Sequence, residues 1–217
     1  MRKRKVSNPL ALAVLCLLTE KPMHPYEMSS TLRERAKEES IKLNYGSLYS
    51  VVESLRRHGL IEVQETVREG RRPERTVYAI TDAGRIEFVD WESELLSVPV
   101  KEFTQFEAAL SLMPSLPPDE VVRLLETRRI RLGAEIVGTK AVIDSMAEQG
   151  MPYLWAVEAD YVQVLRKAEL EFVEKIIATI KDGSLDGVDV WRHAHEGGGL
   201  PAESDWERAV AQLRSVK

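Results

Sequence analysis

The chain has 217 residues, long enough for one or two domains and a substantial core. Its formal net charge is −5, which rules out a protein that is basic throughout and binds nucleic acid by bulk charge. The charge is unevenly placed: residues 1–90 hold 16 basic and 13 acidic side chains (net +3), and residues 91–217 hold 14 and 22 (net −8).

The chain opens on Arg2-Lys3-Arg4-Lys5, which reads as a basic arm on phosphate or as a solvated tail. With the apolar run that follows, it superficially resembles a signal peptide. Glu20 and Lys21 come at once, however, and no small-residue cleavage site is present. Leu10–Leu18 is too short to cross a bilayer, so no membrane association is expected. Asn8 caps a first helix, Pro9 takes its first position, and the helix runs to about Thr19. Cys16 falls inside this apolar run, where a buried and inert thiol is expected. A lone cysteine forms no internal disulfide, which favours the cytoplasm. A turn at Lys21–Pro25 leads to a second helix, from Pro25 to about Lys37.

From Ser47 to His58, Leu48, Val51, Val52 and Leu55 recur at steps of three and four, giving one buried face of a third helix. The opposite face carries Ser47, Ser50, Glu53, Ser54 and Arg57. Gly59 suits the left-handed position that closes a helix. A β-rich run begins at Leu60, Ile61 and Val63, a turn occupies Glu69–Glu74, and a second strand returns over Thr76–Ile80. Thr81 then caps a linking helix that runs from Asp82 to about Leu96, and Val98-Pro99 marks a boundary. Helix, strand, arginine-rich turn and strand, in that order, are the parts of a winged helix-turn-helix.

Behind the boundary the pattern is helical. One helix spans about Glu102–Met113 and another Asp119–Glu148, with Pro114–Pro118 as the break. A last long helix follows from Pro152 to about Lys181, carrying Leu154, Val157, Tyr161, Leu165, Ala168, Phe172, Ile176 and Ile180 at steps of three or four. Leu125, Leu132, Ile136 and Ile143 of the preceding helix are expected to face this stripe in an antiparallel hairpin. Two such helices leave apolar surface uncovered, so a homodimer is expected, with Leu154, Tyr161, Leu165, Phe172 and Ile176 at its interface. Residues 183–201 are glycine-rich and read as loop, and Glu203–Leu213 reads as a short helix. The expected architecture is mainly α: a winged helix-turn-helix of three helices and a two-stranded wing over residues 1–97, an all-helical antiparallel hairpin domain over 98–182, and a flexible tail over 183–217.

Three stretches of the first 90 residues, NPLALAVLCLLTEKPMHPYEMSSTL, GSLYSVVESLRRHGLIE and RRPERTVYAITDAGR, resemble PadR-family transcriptional regulators. FEAALSLMPSLPPDEVVRLLETRR and AELEFVEKIIATIKDG are similar to the long helical dimerisation domain that some members carry. The resemblance implies a repressor of transcription. It also implies a small aromatic or cationic effector bound in apolar space near the domain junction or dimer centre, for which Trp91, Phe103, Phe106 and Trp155 are the candidates.

The expected partner is double-stranded DNA, read by a dimer at an inverted repeat. Ser47 and Ser50 are the best candidates for groove contact, with Tyr45 and Tyr49 beside them and Arg57 on the backbone. His24 and Tyr26, at the start of the second helix, are candidates for phosphate contact; Tyr49 and Tyr26 each read equally well as core residues. In the wing, Arg68, Arg71, Arg72 and Arg75 fall within eight residues, with Arg71 and Arg72 at the expected tip. No phosphate loop, dinucleotide fingerprint or nucleophile elbow is present, so neither an enzyme nor a cofactor is expected. His193-Ala-His195 with Glu196 is at best a weak metal set and no metal is expected. The alternative from another class is a winged-helix protein–protein adaptor without specific DNA binding. A further one is a small-molecule carrier whose working part is the rear domain.

Overall fold

A computed structural model describes residues 4, 6–42, 44–67 and 75–198, with backbone alone at Glu39, Tyr45, Thr66, Val67, Gly197 and Gly198. The chain divides into two compact units between Lys101 and Glu102.

In the front unit, α1 (Pro9–Glu20) is apolar on nearly every side and forms the centre of the core, burying Leu10, Ala11, Ala13, Val14, Leu15, Leu17 and Leu18. Asn8 caps it by accepting a hydrogen bond from the Leu10 amide at 2.9 Å. Cys16 departs from expectation because it lies on the one exposed strip of this helix. Crowding around its sulfur, together with the carboxylates of Glu20 and Glu92, nonetheless pushes the thiol pKa up. α2 (Pro25–Glu34) stops short of Lys37; Ala36 takes a left-handed conformation (φ 53°) and a 3-10 turn covers Lys37–Glu39. α3 (Tyr45–Arg57) buries Leu48, Val51, Val52 and Leu55 against the same core.

The wing pairs β1 (Ile61–Val67) with β2 (Arg75–Ile80) antiparallel, with a bulge between Val63 and Glu65. Met23, in the turn between α1 and α2, exchanges two 3.0 Å backbone hydrogen bonds with Tyr78 and so ties the wing to the helices. α4 (Asp82–Ser97) leaves β2 after one residue. Thr81 caps it, accepting from the Gly84 amide at 3.1 Å and donating to the Gly59 carbonyl at 2.7 Å. Gly84 passes so near β1 that a Cβ there would lie 2.0 Å from the Leu60 carbonyl oxygen, so only glycine fits.

The basic amino terminus is neither a free arm nor a solvated tail at Arg4. The Arg4 side chain is buried against α4, where it is bonded to Glu87 and Glu94 at 2.5 and 2.7 Å and lies 5.5 Å from the centre of the Trp91 ring.

The rear unit consists of α5 (Gln105–Ser111), a 3-10 turn at Met113–Ser115, α6 (Pro118–Glu148), a second 3-10 turn at Tyr153–Trp155, α7 (Val157–Lys181) and α8 (Val188–His193). α6 and α7 form the antiparallel hairpin, with Gly150 in a left-handed conformation (φ 71°) at its turn. The face of α7 toward α6 differs from the expected one. Val173, Ile177 and the expected Ile180 are buried against Val121, Val122, Leu125 and Leu132, with the expected Ile176 partly buried beside them, whereas Leu154, Tyr161, Leu165 and Phe172 are 42–72% exposed. Two apolar stripes compete on α7, and the one with Val173 and Ile177 faces α6.

Residues 183–198 also depart from the loop expectation. α8 packs Val188 into the hairpin core, Trp191 donates to the Leu116 carbonyl at 2.8 Å, and Arg192 donates to the Ile180 carbonyl at 2.6 Å. The expected helix over 203–213 lies outside the described residues.

Candidate nucleic-acid interface

α3 is positioned from both ends. At its start the Asn44 carboxamide accepts from the amides of Gly46 and Ser47 at 2.9 and 3.4 Å. At its end Gly59 takes a φ of 70° and the Leu60 amide returns to the Leu55 carbonyl. With four apolar side chains fixed in the core, the remaining face carries exposed Ser47, Tyr49, Ser50 and Arg57. The Ser50 hydroxyl donates to the Gly46 carbonyl at 3.0 Å, which leaves its oxygen lone pairs outward as acceptors. Arg56 is clamped to Glu53 at 2.8–3.0 Å, so that guanidinium is neutralised locally.

Tyr49 is 49% exposed and Tyr26 60% exposed, so neither is a core residue. Tyr26 lies at the first turn of α2, where His24 is the N-cap: its Nδ1 accepts from the Tyr26 amide at 3.1 Å. Burial of the ring and the nearby Arg75 guanidinium hold the His24 pKa below the ordinary histidine value, so the acceptor nitrogen stays unprotonated. Arg75, the first residue of β2 and paired with Val67 at the turn end of the ladder, is exposed. Arg68, Arg71 and Arg72 lie outside the described residues, as does the Tyr45 side chain.

An open groove of about 650 Å³ runs along the polar face of α3, lined by Ser47, Ser50 and Ser54 on one side and by Val6, Ser7 and Asn8 on the other. Sequence reasoning missed this second wall. It also missed Arg4, which fixes the chain just before that wall. The spacing of Glu87 and Glu94, two turns apart on one face of α4, was the available signal.

The four effector candidates do not share one cavity. Trp91 is 5% exposed in the core of the front unit, beneath Arg4. Phe103 and Trp155 are 87% and 60% exposed. Phe106 alone among them lines an apolar pocket of about 200 Å³, with Met113, Leu116, Leu124, Leu125 and Arg128. The Arg128 guanidinium stacks on the Phe106 ring at 3.6 Å and is bonded to Glu169. His195 faces the Pro114 carbonyl at 3.0 Å, and the described residues contain no cluster able to hold a metal.

These features define a winged helix-turn-helix joined to a helical hairpin unit. Residues 14–90 match the model of the Transcriptional regulator PadR-like family, which places this segment in that family. Among solved structures, Bacillus subtilis PadR in complex with operator DNA is 20% identical, with a TM-score of 0.61 over 80% of this chain and 98% of that one. The same Bacillus subtilis protein in complex with p-coumaric acid is 19% identical, with a TM-score of 0.60 over 79% and 98%. The PadR-like transcriptional regulator BC1756 from Bacillus cereus is 19% identical, with a TM-score of 0.51 over 82% and 98%. At such identity the likeness is one of fold. No curated protein matches the chain.

Proposed function

We propose that this protein is a homodimeric repressor that binds an inverted-repeat operator and releases it when a small aromatic or cationic effector binds the rear unit. The observation that carries the DNA reading is α3 itself: its apolar face is fully engaged in the core, and its free face is short, polar and exposed. α3 enters a major groove, where Ser47 and Ser50 touch base edges or phosphates, while Tyr26, Tyr49, Arg57 and Arg75 touch the backbone. Arg68, Arg71 and Arg72 extend the contact along the neighbouring phosphates or minor groove. Dimerisation supplies the second half-site, and the exposed stripe of Leu154, Tyr161, Leu165 and Phe172, with Ile176 beside it, supports that pairing. The Bacillus subtilis relative seen with p-coumaric acid supports an aromatic effector.

A gel-shift titration with the DNA upstream of the protein's own gene tests this reading. Binding falls steeply with salt, and the Arg71→Ala/Arg72→Ala double variant binds about tenfold or more weakly. The net acidic charge favours one rival, a protein–protein adaptor. Absence of specific binding to any such fragment at low salt favours that rival instead.

A further inference from the structure

We infer that the two copies pair antiparallel along their hairpins, so that the aromatic tip of one seats in the Phe106 pocket of the other; this rests on the homodimer reading above. Charge along the hairpin is strongly polar. From Arg123 to Arg131, α6 carries four arginines and one glutamate. From Ala141 to Tyr161, around the turn, the chain carries Asp144, Glu148, Glu158 and Asp160 and no lysine or arginine; Asp144 is paired with Lys140 just outside this stretch, Arg123 with Glu120 and Arg128 with Glu169. The same tip exposes Tyr153, Leu154 and Trp155 at 60–72%. The apolar pocket with Arg128 at its edge lies at the basic end.

Two-fold pairing of like faces is possible in two senses. The parallel sense sets acidic tip on acidic tip and arginine row on arginine row. The antiparallel sense sets each acidic tip on the partner's arginines. Like charges in juxtaposition oppose the first, and complementary charge and apolar surface favour the second.

The register also closes. Arg166 Nε lies 3.0 Å from Glu135 Oε2, so these two residues stand abreast near the middle of the hairpin. Leu124 is eleven residues before Glu135 and Trp155 eleven residues before Arg166, about 16 Å along the axis in each case. A two-fold axis at the Glu135–Arg166 level therefore brings Trp155 of one copy level with Leu124 of the other. Val162 and Leu165, which are 42% and 50% exposed, lie within about one turn of that axis, beside the Glu135–Arg166 pair.

Disulfide trapping in the full-length chain, with Cys16→Ser as background, tests the arrangement. Leu165→Cys sits beside the axis and yields a covalent dimer on its own. Leu124→Cys with Trp155→Cys yields one about tenfold more efficiently than either single variant, as expected for a cross-chain contact between unlike positions. Trapping by Trp155→Cys alone at the level of the pair means tip-on-tip pairing and overturns the inference. A chain that sediments as a dimer but traps at none of these positions overturns this arrangement and leaves the homodimer intact, whereas a monomer overturns both. Because cysteine at Leu124 opens the pocket, charge reversal provides the second measurement. Arg129→Glu/Arg131→Glu weakens dimerisation about tenfold at low salt, an effect that fades at high salt. Unchanged or tighter dimerisation counts against the inference.

Discussion

His24 is the residue whose chemistry is most exposed to solution conditions. Its neutral Nδ1 caps α2, and its folded pKa lies below the ordinary value of about 6.5. The unfolded chain thus takes up the proton first, so this contribution to stability is complete above about pH 6.5 and is lost as pH falls toward the folded pKa. Urea melts across that window should show the loss, and His24→Asn, which keeps an acceptor but does not titrate, should flatten it. Gly84 and Ser29 give opposite outcomes. Gly84→Ala drives a Cβ into the Leu60 carbonyl and should lower stability by about 2 kcal/mol or more in denaturant melts. Ser29 is fully buried, and its hydroxyl has no hydrogen-bond partner among the described residues. Ser29→Ala should therefore raise stability by about 1 kcal/mol. Neither effect is legible in sequence, because both depend on which atoms happen to stand beside the side chain.

At the scale of elements, α3 and the wing could be read from sequence because their signals are local. The apolar spacing of Leu48, Val51, Val52 and Leu55, the glycine at 59 and the cap at Thr81 each act within a few residues. α7 was only half legible, since it carries two apolar stripes and periodicity alone does not say which of them α6 takes. Cys16 was misplaced for a related reason: a helix apolar all round offers no pattern to show which strip meets solvent. Arg4 was missed because its partners are more than 80 residues away, so that the spacing of Glu87 and Glu94 pointed to a cation without saying which one. Its side chain is 5% exposed and is bonded to two carboxylates, so Arg4→Ala removes a buried cation from both Glu87 and Glu94. The front unit should lose about 3 kcal/mol, seen as a lower denaturant midpoint.

For the whole molecule, the rear unit exposes more apolar surface than a two-helix hairpin tolerates alone. Its stability should then be coupled to association, and the thermal midpoint should rise with protein concentration. A midpoint independent of concentration, under conditions where the species present is dimeric, would mean that the hairpin holds itself together without its partner. The acidic balance of the chain, misleading when read as one number, becomes informative when placed. Between Ala141 and Tyr161, around the hairpin turn, the chain carries four carboxylates and no lysine or arginine.

The junction of β2 and α4 leaves no slack. One residue separates strand from helix, and Thr81 and Gly84 bind that corner to the residues immediately following α3. A torque applied to α4 therefore turns α3 with it, as a crank turns a shaft, rather than being absorbed by a loop between them. The compliant part of such a mechanism lies instead beyond Ser97, where the chain runs without regular structure to Thr104. Shortening or stiffening that segment should alter how faithfully an effector's signal arrives, while the grip on DNA itself is left unchanged.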